Sequence, residues 1–168
     1  MILRPLGNQD VEQVATWLAT EDVRQLLDVG VGVQTVSVGD IRALGAKESH
    51  FCQVFTADTN DMPIGVVGLS QISRDCCSAF LWYLLCEREF CGRGYTSRAV
   101  SKMLTMGFSH LGLRSINAWA VDQHVASIRV LQRNNFRLIG RLRQCHAIEG
   151  RVFDRLLFDL LTAEHREP

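Results

Sequence analysis

Apolar residues recur along this chain at two spacings, and the places where the spacing changes mark its elements. Val11, Val14, Trp17 and Leu18 stand three and four apart, the interval that lines one helix face, and Asn8 or Gln9-Asp10 ahead of them supplies a helix start. Residues 2–6 read as a short strand before it. The stripe lapses at Glu21-Asp22, after which Val23, Leu26 and Leu27 predict a further short turn of helix, broken by Gly30 and Gly32. Ser37 precedes a short helix over 39–44 that Gly45 closes.

The period then shortens to two. Residues 51–56 alternate and end in the turn-forming run Asp58-Thr59-Asn60-Asp61, and residues 63–72, rich in Val and Ile, form the returning arm of a hairpin. After a turn at Arg74-Asp75, residues 79–86 are a continuous apolar run, the pattern of a central strand. Helical spacing resumes over 95–111, burying Ala99, Val100, Met103, Leu104 and Phe108, and Gly112 ends it. A strand over 115–121, a helix over 125–134 displaying Ile128 and Leu131, and strands over 136–142 and 151–161 joined around Glu149-Gly150 complete the chain. With 168 residues and no repeat or linker, the expectation is one domain over residues 1–168 of mixed α/β (α+β) type, antiparallel in its first half.

Composition narrows the function classes. Eighteen basic residues balance eighteen acidic ones, so no global field draws in nucleic acid or an anionic membrane. The apolar runs are too short to cross a bilayer, and the amino-terminal residues lack the pattern of a secretory signal. Six cysteines occur without a C-x-x-C pair, and the five histidines are dispersed, so neither a zinc site nor a disulfide framework is expected. A reduced, cytoplasmic protein follows from these observations.

Chemistry concentrates where the apolar strand meets the long helix. Cys91-Gly92-Arg93-Gly94-Tyr95-Thr96 places two glycines, one residue apart, before a helix start. Glycine admits backbone conformations and close approaches that a side chain blocks, and the first turn of a helix presents unpaired N–H groups. Such a turn either simply starts the helix or seats a phosphate or pyrophosphate. Thr96 and Ser97 would add hydroxyl donors, with Arg93 or Arg88 for the charge. A dinucleotide-binding G-x-G-x-x-G is excluded by Ser97 and by the antiparallel strands upstream, and a P-loop by the missing Gly-Lys-Ser/Thr.

Three ordered blocks carry a resemblance. The run from Glu89 through Cys91-Gly92-Arg93-Gly94 resembles the Q/R-x-x-G-x-G/A cofactor motif of the GNAT acetyltransferase superfamily. The run from His124 through Ser127 and Arg133 to Asn134-Asn135-Phe136 is similar to its N-x-x-S-x-x-x-x-x-K-x-G-F motif. Gly140-Arg141-Leu142-Arg143 followed by Gly150-Arg151-Val152-Phe153-Asp154 is similar to the branch containing ribosomal-protein N-terminal (alanine/serine) acetyltransferases. The resemblance implies a mostly antiparallel sheet splayed at a bulge, with helices on both faces, and acetyl-CoA as co-substrate without a metal. It also implies direct attack of a primary amine, on a small molecule or a protein N-terminus, upon the thioester.

Carried onto this chain, the family's cofactor contacts fall on Leu84, Leu85 and Cys86 along the strand edge, with an N–H near Leu84 facing the thioester oxygen. They continue on Cys91, Gly92, Arg93, Gly94, Tyr95 and Thr96 at the turn, and on His124, Ser127 and Arg133 of the later helix. Ser127 is the candidate catalytic residue, meeting the departing thiolate. Asp122, Glu149 and His146 are candidate bases, with ordered water as the alternative. Glu89, His124 and Asn135 depart from the family pattern, and Leu131 stands where many relatives carry a tyrosine acid. Trp17, Trp82, Tyr83 and Trp119 either line the acceptor pocket or pack the core. A second reading, a catalytically inactive acyl-CoA-binding module of the same fold, rests on Glu89, His124 and Leu131. The terminal strands could pair two copies into a homodimer.

Overall fold

The computed structural model describes residues 1–26, 39, 41, 48–58 and 61–166. Strand β1 (Leu3–Pro5) leads into helices α1 (Val11–Ala19) and α2 (Glu21–Leu26), followed by β2 (Phe51–Thr56), β3 (Pro63–Ser73) and β4 (Ser78–Leu85). A 3-10 turn at Arg88–Phe90 precedes helix α3 (Tyr95–Ser109), and then come β5 (Ser115–Val121), helix α4 (Val125–Arg133), β6 (Arg137–Ile148) and β7 (Arg151–Leu161). Of the helix expected over 39–44, Gly39 and Ile41 are helical and Ile41 is buried. The expected breaks at Gly30, Gly32 and Gly45 lie outside the described residues.

The seven strands form one sheet in the order β1-β2-β3-β4-β5-β7-β6. Every neighbouring pair is antiparallel except β4 and β5. The continuous apolar run of β4 is central, as its pattern requires. The alternation of β3 sorts its side chains between two cores: Val66 packs with Val11, Val14 and Leu18 of α1, whereas Val67 and Leu69 pack with Ala99, Met103 and Leu104 of α3. Helices therefore cover both faces, which is why β3 is buried from Pro63 through Ser70.

The anticipated bulge lies one strand away from the splay. The register of β3 on β4 shifts between Ser70 and Ser73, with Gln71 at φ 52, opposite Ala79. A second close approach involves Gly68, which pairs with Trp82: a Cβ at position 68 would come within 2.6 Å of the indole. The missing side chain lets Trp82 lie flat across β3.

Asp10 joins β1 to α1. Its buried carboxylate accepts hydrogen bonds from Arg4 Nη2 at 2.9 Å and from the Gly7 N–H at 2.8 Å. The Arg4 bond, and then the Gly7 N–H, outweigh burial and hold the carboxyl below the usual range. A depressed folded-state pKa contributes stability in full above the unfolded value of about 3.9, and that stability is lost as pH falls through the folded value. Asp10→Asn is thus expected to cost about 1–3 kcal/mol at neutral pH. The gap from the parent protein should close in acid. Equal urea midpoints at neutral pH would show that the pair contributes nothing.

Candidate functional site

The site begins where the sheet divides. Strands β4 and β5 pair in parallel only at Ser78–Ser115, Ala79–Ile116 and Phe80–Asn117, although β4 continues to Leu85 and β5 to Val121. Over residues 81–85, β4 keeps its partner β3 and loses β5. The gap opens into a cleft of about 660 Å³ that also takes in the glycine turn, the first turn of α3 and one face of α4.

Strand geometry decides which backbone groups face that gap. Cys86 donates its N–H to the Ile64 carbonyl at 3.0 Å, toward β3, and the Cys77 carbonyl accepts from Arg114 at 2.7 Å, toward β5. Backbone polar groups alternate sides along a strand, so Leu84 and Cys86 spend theirs on β3, and Leu81, Tyr83 and Leu85 direct theirs into the gap. The backbone groups near Leu84 that face the gap are therefore those of its neighbours Tyr83 and Leu85. Leu84 and Cys86 also border the cleft. Burial, with Glu87 adding to it, pushes the Cys86 thiol up to about 12, which keeps it protonated.

The glycine turn has the geometry its composition requires. Gly92 and Gly94 have φ of 75° and 81°, and a Cβ at either would meet no protein atom within 4 Å. Gly94 caps α3 without a side-chain bond, so the N–H groups of Tyr95, Thr96 and Ser97 lie ahead of the first helical bond, from Arg98 to Gly94 at 3.1 Å. Cys91, Gly92, Gly94, Tyr95, Thr96 and Ser97 all border the cleft, as does Arg88. Arg93 does not; its guanidinium lies 5.6 Å from the Phe90 ring centroid. The Tyr95 hydroxyl donates to Asp58 at 3.0 Å, so that side chain anchors the helix and only its backbone serves the turn.

Helix α4 forms the opposite wall, with His124, Ser127, Arg129 and Arg133 bordering the cleft. Leu131 is fully buried and does not border the cleft. Asn135 adopts φ 63 after the helix, and Phe136 N–H closes onto the Leu131 carbonyl at 3.1 Å, so asparagine serves where the motif has glycine. Buried Asn134 donates to the Ser97 carbonyl at 3.3 Å, tying α4 to the first turn of α3. Sequence reading passed over that tie.

It also missed a partner for Ser127. The Tyr83 hydroxyl lies 2.7 Å from Ser127 Oγ and 3.1 Å from the Ser127 carbonyl, joining β4 to α4 where β4 has left β5. Burial pushes the Tyr83 phenol well above its ordinary value, outweighing the Ser127 bond, so the group stays an O–H donor.

None of the three candidate bases borders the cleft. His146 accepts at Nδ1 from Arg155 Nε at 3.0 Å and, at Nε2, donates to the Gln25 carbonyl, which fixes a neutral tautomer with both nitrogens occupied. Asp122 pairs with Arg141 at 3.2 Å, and that arginine also holds Asp154 at 2.8 Å. Glu149 is an exposed turn residue with φ 48. Trp17, Trp82 and Trp119, all three of the chain's tryptophans, also border the cleft. Among the described residues no helix is long and apolar enough to cross a membrane.

Comparison with known proteins agrees with this geometry. Residues 1–137 match the family model described as an acetyltransferase (GNAT) domain. The chain is 25% identical over 171 residues to the uncharacterized N-acetyltransferase p20 of Bacillus licheniformis, covering 98% of this chain and 94% of that one. Its fold is similar to Vibrio cholerae spermidine N-acetyltransferase in complex with CoA and spermine, with TM-score 0.81, 20% identity and coverage of 97% and 96%. That enzyme is dodecameric in another structure of TM-score 0.80, 19% identical, covering 96% and 94%. Mycobacterium smegmatis RimJ in complex with CoA-disulfide is similar at TM-score 0.78 and 20% identity, covering 96% of this chain and 82% of that one.

Proposed function

The chain belongs to the GNAT acetyltransferase family and is an acetyl-CoA-dependent N-acetyltransferase, and from that premise we propose how its own residues divide the work. The single observation that carries the reading is the division of β4 from β5 beside a positive-φ glycine turn. The residues fit the co-substrate: unpaired helix-start amides with no protein atom above Gly92 and Gly94 suit a pyrophosphate, and Arg88, Arg129 and Arg133 at the mouth suit its charge.

Acetyl-CoA, when bound, supplies an activated thioester that a primary amine attacks directly. The N–H groups of Gly92, Gly94, Tyr95 and Thr96 hold the pyrophosphate, with Cys91 and Arg93 shaping the turn rather than contacting it. The Tyr83 and Leu85 backbone groups pair with the pantetheine arm as an added strand would, and one of their N–H groups polarises the thioester carbonyl. His124 and Arg133 hold the outer part of the cofactor. Ser127 donates to the departing sulfur, and the Tyr83 hydroxyl fixes the orientation of Ser127. The amine loses its proton to water, because none of the candidate bases Asp122, Glu149 and His146 borders the cleft.

The pattern at Gly140–Arg143 and Gly150–Asp154 supports placing the chain near the ribosomal-protein N-terminal acetyltransferases, and the exposed edge strand β6 supports self-association into a homodimer. Calorimetry should find acetyl-CoA binding, and thiol release should then saturate with a primary amine. Binding without release across a broad amine panel would favour an inactive acyl-CoA-binding module instead.

A further inference from the structure

We propose that the acceptor carries its amine on a flat aromatic body, a substrate class that rests on the acetyltransferase reading and narrows it. All three tryptophans of the chain converge on one cleft, from three separate elements: Trp17 from α1, Trp82 from β4 and Trp119 from β5. Their convergence is built rather than incidental. Gly68 gives up its side chain so that Trp82 can lie flat on the sheet. Trp119 is braced from behind, with the Arg155 guanidinium 4.0 Å from its ring centroid and His146 at 5.3 Å, neither of them bordering the cleft.

Charge then separates an aromatic acceptor from a polycationic one. A cation seated on the open face of Trp119 would stand roughly 8 Å from the Arg155 charge, within one Debye length at physiological salt. Arg155 already occupies one of that ring's two negative faces, which weakens the other as a receptor for a second cation and leaves it suited to stacking. Among the described residues bordering the cleft, Asp22 is the one carboxylate, and Arg88 lies 3.9 Å from it. A single amine on an aromatic ring needs flat apolar walls, and these are present.

The test compares 2-phenylethylamine, n-butylamine and spermidine as acceptors for the same enzyme. Thiol release is expected to give 2-phenylethylamine a kcat/KM at least about tenfold above the other two. Because every tryptophan borders the cleft, emission quenching reads binding directly, and 2-phenylethylamine should quench the CoA-saturated protein at concentrations where spermidine does not. Trp17→Leu and Trp82→Leu should each erase most of the preference while leaving the calorimetric affinity for acetyl-CoA within about twofold. Spermidine or n-butylamine equalling 2-phenylethylamine, with acetyl-CoA still bound, would overturn the aromatic assignment alone. Failure to bind acetyl-CoA would overturn the cofactor-site reading itself, and this inference with it.

Discussion

Gly94→Val is expected to raise the KM for acetyl-CoA by about 100-fold while the protein remains folded. Gly94 holds φ 81, a conformation that costs a branched residue about 1–2 kcal/mol. A new Cβ there would strike no protein atom within 4 Å, so the fold suffers only that strain. In the proposed reading the same open space is where a pyrophosphate meets the helix-start amides. Losing one or two charge-assisted hydrogen bonds, each worth about 1.5–3 kcal/mol, accounts for the predicted loss. Steady-state kinetics with a thermal melt separates the two effects. An unchanged KM in the folded variant would mean that the phosphates sit elsewhere.

Ser127→Ala should lower kcat by about 10–100-fold with acetyl-CoA affinity retained, because the hydroxyl acts on charge that develops during the reaction. Tyr83→Phe should lower kcat by a smaller factor, about 3–10-fold, since it acts through Ser127. The Tyr83 phenol is held well above its ordinary pKa by burial and therefore stays protonated through the neutral and mildly alkaline range. The kcat profile of the parent enzyme should accordingly show no loss from this group up to about pH 10. A Ser127→Ala enzyme with full kcat would remove the serine from the chemistry and leave Tyr83 a packing residue.

The order of elements could be read from periodicity because most of them bury one face or both. The bounds of β5 and β7 match their apolar patterns. Strand β6 was expected to stop at residue 142 and runs to Ile148. Its side chains are mostly exposed, and the register break between Leu142 and His146, with Gln144 at φ 51, resets the alternation that would have marked it. The glycine turn was readable for a different reason: its chemistry is local, carried by six consecutive residues.

Contacts that depend on how strands meet were hidden. Whether Leu84 or Leu85 faces the gap follows from the pairing of Gly65 with Leu85, which no local pattern of β4 reveals. The bond between Tyr83 and Ser127 joins residues 44 apart, and it forms only because β4 leaves β5. His146 looked like a free titratable group, and a carbonyl 121 residues distant occupies one of its nitrogens.

The bare backbone at Gly68 gives the enzyme an unusual point of control. Alanine there would lift the Trp82 indole off the sheet, since the added carbon falls within 2.6 Å of the ring. One methyl group, on a strand that touches neither substrate, would narrow the cleft from its floor. Evolution or a protein engineer could thus reshape the cleft without altering any residue that lines it.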